Sequence, residues 1–376
     1  MLLSAKICRN CVINKMLLTH DRFLSKNNVS LNNESTLVIL TNSIKSLALF
    51  HLMKSKLCCS QEITCHKIYF LYIDETVTSE DAVPIYEPNI LRIIREESKQ
   101  FHLQTYCTSL DDYFVSERIL LCSVYSYMVQ SLKNSTLFQI FLKKIQDPSV
   151  KLCFYRSLII KVSVFVAKLL KCDIILYYDL HSDSASSLLN NLVLGQAVNN
   201  FKVCIPWLKN VSIKLCYPLH CFTIRDIITY LKCISFLDFK HDKLSPINNC
   251  KKALQRFTKN FLCSLQNDSK LTISNICKFS SKLDKYCVTS LLTRYCILCN
   301  HLNSLVVQET NFSQDLMITN CVEKKTNNLD YFHICSLELS PNYPILLPKS
   351  NTLSLDLKKI GICQSCFIAY KHRNYS

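Results

Sequence analysis

The sequence predicts an α/β fold built around a parallel sheet, and three observations lead to this prediction. Short apolar runs alternate along the chain with longer segments of helical periodicity, which is typical of parallel strands connected by helices. Apolar residues make up 49% of the 376 residues, so the chain can bury a large core. Charged residues make up only 19%, which argues against a disordered or coiled-coil chain.

The predicted strands and helices follow one another in regular order. Each strand is a short apolar run, and the second one ends at Asp74 and Glu75, where α/β proteins often hold ligands. The predicted strands cover residues 37–40, 68–73, 173–178 and 211–215. The predicted helices cover residues 46–54, 90–100, 152–170, 184–198 and 223–233. Thr223 is the expected N-cap of the last of these helices.

The clearest amphipathic helix is predicted at residues 248–266. Its apolar stripe consists of Leu254, Phe257, Phe261, Leu262 and Leu265. Its opposite face consists of Lys251, Lys252, Gln255, Arg256 and Lys259. We expect the stripe to pack against the domain. The basic face has two interpretations, a solvated surface or a surface that binds nucleic-acid phosphates, and the net charge of +16 fits both.

Glycine is nearly absent, since Gly195 and Gly361 are the only two in the chain. Backbone N–H groups approach a phosphate closely where no Cβ intervenes, so the usual phosphate loops contain several glycines. Loops of the GxGxxG and Walker types are therefore excluded. No pair of nucleophile and base stands out either, because His181, His220 and His241 lie near turns, where a single histidine is usually structural.

Cysteine accounts for 23 residues, and six of these form three Cys-x-x-Cys pairs. We expect a cytoplasmic protein that has no membrane contact and keeps its thiols reduced, because no apolar segment suits a signal peptide or a membrane helix. Two of the pairs then form a candidate structural zinc site. Its candidate ligands are Cys296, Cys299, Cys363 and Cys366. Cys8 and Cys11 are further candidate ligands, which would need a partner such as His20 or Cys58.

Several short motifs occur in a fixed order along the chain. They are Cys8-Arg9-Asn10-Cys11, Thr41-Asn42-Ser43-Ile44-Lys45-Ser46, Tyr72-Ile73-Asp74-Glu75, Tyr178-Asp179-Leu180, Leu192-Val193-Leu194-Gly195-Gln196, Tyr217-Pro218-Leu219 and the two C-terminal cysteine pairs. In this order the chain resembles the cytoplasmic tRNA 2-thiolation protein 2 family, also called cytosolic thiouridylase subunit 2. Each motif alone is weak, but the ordered set covers nearly the whole chain.

The resemblance implies a Rossmann-like PP-loop ATP-pyrophosphatase fold, also called adenine nucleotide alpha-hydrolase-like, with terminal Cys-x-x-Cys zinc elements. It implies a helical segment with a remnant cysteine pair at residues 1–33 and a degenerate PP-loop domain at residues 34–290. A zinc-ribbon-like element with a loop insertion follows at residues 291–376. The positions that match the nucleotide site are Thr41, Asn42, Ser43, Ser46, Asp74 and Asp179.

The nucleotide loop departs from the family motif SGGxxS, because Asn42 and Ser43 replace both glycines. Tyr178 replaces the glycine before the acidic residue of the later motif. Side chains at these positions obstruct the approach of a phosphate to the backbone, so we do not expect ATP to bind this chain.

The resemblance therefore implies a non-catalytic subunit that forms a heterodimer with a catalytic thiouridylase subunit. The complex 2-thiolates the wobble uridine of cytoplasmic tRNAs for Lys, Glu and Gln, as part of 5-methoxycarbonylmethyl-2-thiouridine, with sulfur from a thiocarboxylated ubiquitin-related carrier. The candidate tRNA contacts are Lys251, Lys252, Arg256 and Lys259. Two alternatives stay open, an active ATP-dependent tRNA thiolase and a cysteine-rich zinc scaffold unrelated to tRNA.

Overall fold

The fold is organised around a six-stranded sheet with β1 near its centre. The computed structural model describes residues 8–27, 29, 34–59, 67–75, 89–110, 121–126, 148–193, 213–236, 254–269, 271–286, 294–295 and 302–303. The strands of the sheet are β1 Thr36–Leu40, β2 Ile68–Asp74, β3 Thr105–Ser109, β4 Cys122–Ser123, β5 Ile174–Leu176 and β6 Lys214–Cys216. Their order is β4-β3-β2-β1-β5-β6, and every neighbouring pair except β3 and β4 is parallel. The predicted α/β fold with a parallel sheet is confirmed.

Helices connect the strands and flank them in the chain. The described α-helices are α1 Arg9–Lys26, α2 Ile44–Cys59, α3 Asn89–Gln100, α4 Pro148–Leu169, α5 His181–Val193, α6 Ile224–Cys233, α7 Leu254–Asp268 and α8 Thr272–Tyr286. A short 3-10 helix, Pro218–Cys221, precedes α6, and a separate two-stranded hairpin joins β7 Arg294–Tyr295 to β8 Leu302–Asn303. Among the residues that the structure describes, no helix has the length and apolarity needed to cross a membrane.

The main hydrophobic core lies on both faces of the central strands. All five residues of β1 are buried, as expected for a parallel strand that is covered from both sides. A second, smaller cluster lies where α7 and α8 pack against α5. Its buried members are Ala185, Leu188, Leu262, Ile273 and Cys277. The second cluster holds α5 against the α7–α8 pair.

The order of the strands creates a switch point between β1 and β5. The chain runs from β1 to β2 and β3 on one side of the sheet, whereas β5 and β6 lie on the other side of β1. Open α/β sheets bind ligands at the carboxyl ends of the strands where the order reverses. In this chain the loop before α2 and the loop before α5 leave the sheet at that point.

The predicted elements are present in the structure, which also contains elements that were not predicted, among them α8 and the β7–β8 hairpin. The four predicted strands correspond to β1, β2, β5 and β6, and Thr223 caps α6 as predicted, because its Oγ1 accepts a hydrogen bond from the N–H of Asp226. However, β3 and β4 were not predicted, because β3 reads Thr-Tyr-Cys-Thr-Ser and lacks an apolar run. The proposed boundaries after residues 33 and 290 stay predictions.

Candidate functional site

The candidate site is the crevice at the switch point, where two loops meet. One loop, Thr41-Asn42-Ser43, joins β1 to α2, and the other, residues 177–180, joins β5 to α5. Asp74 ends the neighbouring strand β2 at the same edge of the sheet and is buried. The structure therefore brings together all six residues that the sequence placed in the degenerate nucleotide site. The remaining two are Ser46, in the first turn of α2, and Asp179, in the second loop.

Hydrogen bonds within the first loop occupy its own polar groups. The N–H of Thr41 donates to Ser46 Oγ at 3.2 Å, and that hydroxyl lies 2.6 Å from the carbonyl oxygen of Thr41. The N–H of Lys45 donates to Ser43 Oγ at 3.3 Å, so Ser43 caps the start of α2. A phosphate bound at a helix N-terminus needs free N–H groups there. One such group, the N–H of Lys45 in the first turn of α2, already donates to a side-chain oxygen of the chain itself, and so does the N–H of Thr41 after β1.

The backbone of the loop explains why it folds without glycine. Among the described residues, positive φ occurs at His102, Lys171 and Ser235, none of which belongs to the loop. Asn42 and Ser43 therefore adopt ordinary backbone angles, and their side chains cost the fold nothing. Both residues carry a Cβ atom where the SGGxxS motif has glycine, which is the difference on which the sequence prediction rests. That ATP does not bind this chain therefore stays a prediction.

A buried ion-pair network fills the crevice beside the loop. Asp183 Oδ2 lies 2.8 Å from Lys45 Nζ, and Asp183 Oδ1 lies 2.8 Å from Lys259 Nζ. Burial alone would raise the pKa of the Asp183 carboxyl, but the charges and hydrogen bonds of the two lysines hold it well below its ordinary value. The same charge of Asp183 raises the pKa of Lys259. Asp183 is therefore an anion that joins α2, α5 and α7.

A second ion pair extends this network to α4. Arg156 of α4 contacts Asp179 through one guanidinium nitrogen and Ser187 of α5 through another. Asp179 also lies 3.8 Å from Lys45, so this lysine is close to both carboxylates. We call Lys45, Arg156, Asp179, Asp183 and Lys259 the crevice network. Its three cations and two carboxylates are all paired within the chain.

Aromatic rings line the same crevice. Tyr177 and Tyr178 stack with centroids 4.8 Å apart, and Lys45 Nζ lies 5.4 Å from the ring centroid of Tyr178. Burial, with the nearby charges of Glu75 and Asp179, raises the pKa of Tyr178 well above its ordinary value. The phenol is therefore neutral at physiological pH. Tyr178 stands where the family that the sequence resembles has glycine, and it occupies the crevice with a bulky ring.

A histidine cluster lies next to these rings and was not predicted from the sequence. Tyr217, His220 and His181 form a stack with centroid distances of 4.9 and 5.2 Å, and His220 Nε2 lies 2.9 Å from Ser184 Oγ. Burial and the neighbouring His181 lower the pKa of His220 to about 3, so its ring is neutral. Ser184 is fully buried. The cluster joins the first turn of α5 to the 3-10 helix Pro218–Cys221, two elements that are distant in sequence.

The orientation of α7 differs from the prediction. The predicted apolar stripe is wrong in part, because Phe257 and Phe261 are 63% and 58% exposed. The opposite face packs on the domain through polar contacts: Lys259 binds Asp183, and Thr258 Oγ1 lies 2.6 Å from the side-chain oxygen of Asn190. These contacts turn the helix, because the buried anion Asp183 needs its cation. Arg256 remains on the exposed side.

The other predicted site residues are placed as follows. Lys251, Lys252 and the four C-terminal cysteines of the predicted zinc site lie outside the described residues. Cys8 and Cys11 are exposed at the start of α1. Within the described part of the chain, no group of three or more His, Cys, Asp or Glu side chains is placed to hold a metal ion. The zinc site and the tRNA contacts therefore stay predictions.

Comparison with solved structures shows the class of fold. The chain is similar to the structure of U34-tRNA thiolase NcsA from Methanococcus maripaludis with its 4Fe–4S cluster, at 13% identity and a TM-score of 0.50. The similarity covers 74% of this chain and 82% of the thiolase chain. It is also similar to NMN synthetase from Francisella tularensis at 11% identity and a TM-score of 0.38, over 77% and 99% of the two chains. The fold is adenine nucleotide alpha-hydrolase-like. No family model and no curated protein matches the sequence.

Proposed function

We propose that the protein is a non-catalytic subunit of a complex that 2-thiolates the wobble uridine of cytoplasmic tRNAs for Lys, Glu and Gln. A catalytic thiouridylase subunit forms a heterodimer with it and activates the uridine with ATP. The sulfur comes from a thiocarboxylated ubiquitin-related carrier. This chain contributes partner and tRNA contacts, and no residue of its own enters the reaction.

The observation that carries this proposal is a nucleotide-type crevice occupied by the side chains of the chain itself. Ser43 and Ser46 accept the hydrogen bonds of two backbone N–H groups in the loop. Lys45 is 2.8 Å from Asp183 and so is already paired with an internal anion. A phosphate would have to displace these bonds and would meet the carboxylates of Asp179 and Asp183. Pairing within the chain therefore favours a structural role for the crevice.

The substrate class is supported by two further observations. The fold is shared with a protein described as a U34-tRNA thiolase, and the ordered motifs of the sequence resemble a tRNA 2-thiolation family. The net charge of +16 suits a polyanionic partner. The similarity of the fold and the ordered motifs of the sequence thus both suggest a role in tRNA thiolation.

The outer side of α7 is the proposed tRNA contact within the described residues. Arg256 is exposed there beside the exposed rings of Phe257 and Phe261. A cation with neighbouring aromatic rings suits RNA, since it binds phosphates and offers faces on which unstacked bases can stack. Lys259 belongs to the crevice network and should contribute less than Arg256. Lys251 and Lys252, which precede the helix, complete the proposed contact.

Titration of ATP into the isolated protein tests the non-catalytic role. We expect no affinity in the micromolar range for the wild-type chain, whereas its complex with the catalytic subunit should bind ATP. The Ser43→Gly variant, which removes the side chain at one loop position, should also fail to bind, because the crevice network remains. Micromolar affinity of the isolated wild-type chain, coupled to ATP turnover, would favour the alternative of an active tRNA thiolase.

A further inference from the structure

The first turn of α1 carries two exposed cysteines that the proposed function does not use. Cys8 is the N-cap of the helix, with φ −67° and ψ 154°, and its Sγ accepts a hydrogen bond from the N–H of Cys11 at 3.3 Å. Both side chains are exposed to solvent. Residues three apart on a helix are neighbours, so the cap places both sulfurs at one accessible position.

The distance between the two sulfurs fits covalent pairing better than shared zinc ligation. Cys8 Sγ and Cys11 Sγ are 2.9 Å apart. Two thiolates that bind one zinc ion tetrahedrally, each at about 2.3 Å, are separated by roughly 3.8 Å. A disulfide bond measures about 2.05 Å, so the two sulfurs need to approach each other by about 0.9 Å to form one. The separation of the two sulfurs is therefore closer to that of a disulfide than to that of two zinc ligands.

The described residues around the pair do not supply the further ligands that a metal site needs. No third or fourth ligand joins the two cysteines among the described residues. His20 and Cys58 were the predicted additional ligands. His20 is buried, and its Nδ1 lies 3.9 Å from Asp21. Cys58 is exposed at the far end of another helix, α2. Two cysteines alone do not complete the tetrahedral site that zinc prefers.

Other described cysteines differ from this pair in their accessibility. Cys172 and Cys216 are buried, and burial raises the pKa of both thiols to about 12, which makes them unreactive. Cys263 is exposed on α7 and is not in sulfur contact with a second described cysteine. A small oxidant would therefore reach a pair of adjacent sulfurs at the start of α1 in preference to these sites.

We propose that Cys8 and Cys11 form a thiol–disulfide exchange site for small-molecule disulfides. Cys8 Sγ attacks one sulfur of the small disulfide, whose S–S bond breaks, and one small thiol leaves with the proton from Cys8. Cys11 Sγ then attacks the sulfur of Cys8 and displaces the second small thiol, which takes the proton from Cys11. The two cysteines lose two electrons in total, and the small disulfide gains them as it becomes two thiols. An excess of small thiol reverses both steps.

Equilibration of the full-length protein in glutathione buffers tests the proposal. After rapid alkylation of free thiols, peptide mass spectrometry should find a Cys8–Cys11 disulfide that increases with the ratio of oxidised to reduced glutathione and disappears when the ratio is reversed. In Cys11→Ser, the intramolecular disulfide should be lost completely and replaced by a mixed disulfide of Cys8 with glutathione. The matched control Cys263→Ser should oxidise at residues 8 and 11 like the wild type.

Two results would overturn the proposal. One is a pair that stays reduced in oxidised glutathione while the protein remains folded by circular dichroism. The other is a bound zinc ion at this pair, with oxidation only after a chelator has removed it. Cys8→Ser keeps the experiment interpretable, because serine is itself a good N-cap and should preserve α1 while abolishing the disulfide. Failure of the thiolation proposal would leave all these outcomes unchanged, because the site shares no residue with the crevice.

Discussion

Replacement of Asp183 by asparagine should destabilise the fold more than any other single change in the crevice network. The carboxyl accepts hydrogen bonds from Lys45, Lys259 and the N–H of Leu180. Asparagine can keep the backbone hydrogen bond but not the charge. The two lysines would then face each other without the anion that holds them together.

The size of the effect follows from the exposure of each partner. Lys45 is 18% exposed and Lys259 is 43% exposed, against 10% for the carboxyl itself. A hydrogen bond between charged groups contributes about 1.5–3 kcal/mol when it is buried, which applies to Lys45. Solvent screening reduces the pair with Lys259 to about 0.5–1 kcal/mol. We therefore expect Asp183→Asn to lower the free energy of unfolding by about 3 kcal/mol, and Lys259→Met by about 1 kcal/mol.

The pH dependence has a definite sign. The pKa of Asp183 is lower in the folded than in the unfolded protein, so its contribution is complete above the unfolded value of about 4. As the pH falls below about 4 towards the folded pKa, the unfolded chain takes up a proton that the folded chain does not. The stability difference between wild type and Asp183→Asn should therefore shrink in acid.

Urea unfolding of the two proteins, followed by circular dichroism at pH 7 and at lower pH, measures both quantities. Glu96→Gln, which removes a charge that is exposed on α3, is the matched control and should change stability by less than about 0.5 kcal/mol. Hydrogen exchange should also become faster in α7 of Asp183→Asn, because Lys259 loses its partner. Equal stability of Asp183→Asn and wild type at pH 7 would refute the role given to the crevice network.

Three further predictions concern RNA, zinc and histidine. Arg256→Glu should weaken tRNA binding by the complex and reduce the slope of log affinity against log salt concentration by about one. Lys259→Gln should change this slope less, and the exposed control Lys168→Glu should leave it unchanged. Equal slopes for all three variants would contradict the proposed contact. Metal analysis of the reduced protein should find about one zinc per chain, lost when the predicted ligands are changed to serine, and zinc-free protein would disprove the site. Those ligands are Cys296, Cys299, Cys363 and Cys366. Burial and the charge of Lys54 lower the pKa of His51 to about 4, so the free energy of unfolding should decrease as the pH drops from about 6.5 to 4. The decrease should be smaller in His51→Gln. An equal decrease in wild type and variant would contradict the lowered pKa of His51.

The sheet was largely predictable because its central strands are continuous apolar runs. Residues 37–40 and 68–73 read as buried strands, and both lie in the parallel sheet as β1 and β2. Thr105–Ser109 was missed because its burial depends on its neighbours and is not visible in its composition. Local patterns thus predict the strands that are apolar runs, whereas β3 forms through tertiary contacts that its composition does not reveal.

The position of the candidate site was predictable from the sequence, but the ion pairs within it were not. The loop at residues 41–43 and the acidic residue Asp179 follow their strands directly, so their meeting at one edge could be inferred. The pairing of Asp183 with Lys259 joins residues 76 positions apart, and no local pattern reveals it. The same pairing turns Phe257 to the surface, against the predicted stripe. An electrostatic requirement of the folded protein therefore outweighed helical amphipathicity on α7.

The central claim, that this chain supports thiolation without binding a nucleotide, is tested most directly by the variant Ser43→Asp. Aspartate caps a helix as well as serine does, so α2 should form normally, but its charge would repel any phosphate from the loop. The variant is expressed in cells that lack the endogenous protein, and 2-thiouridine in tRNAs for Lys, Glu and Gln is measured by mass spectrometry. We predict wild-type levels of 2-thiouridine. Loss of the modification, in a variant that is folded and still binds its partner, would contradict the claim.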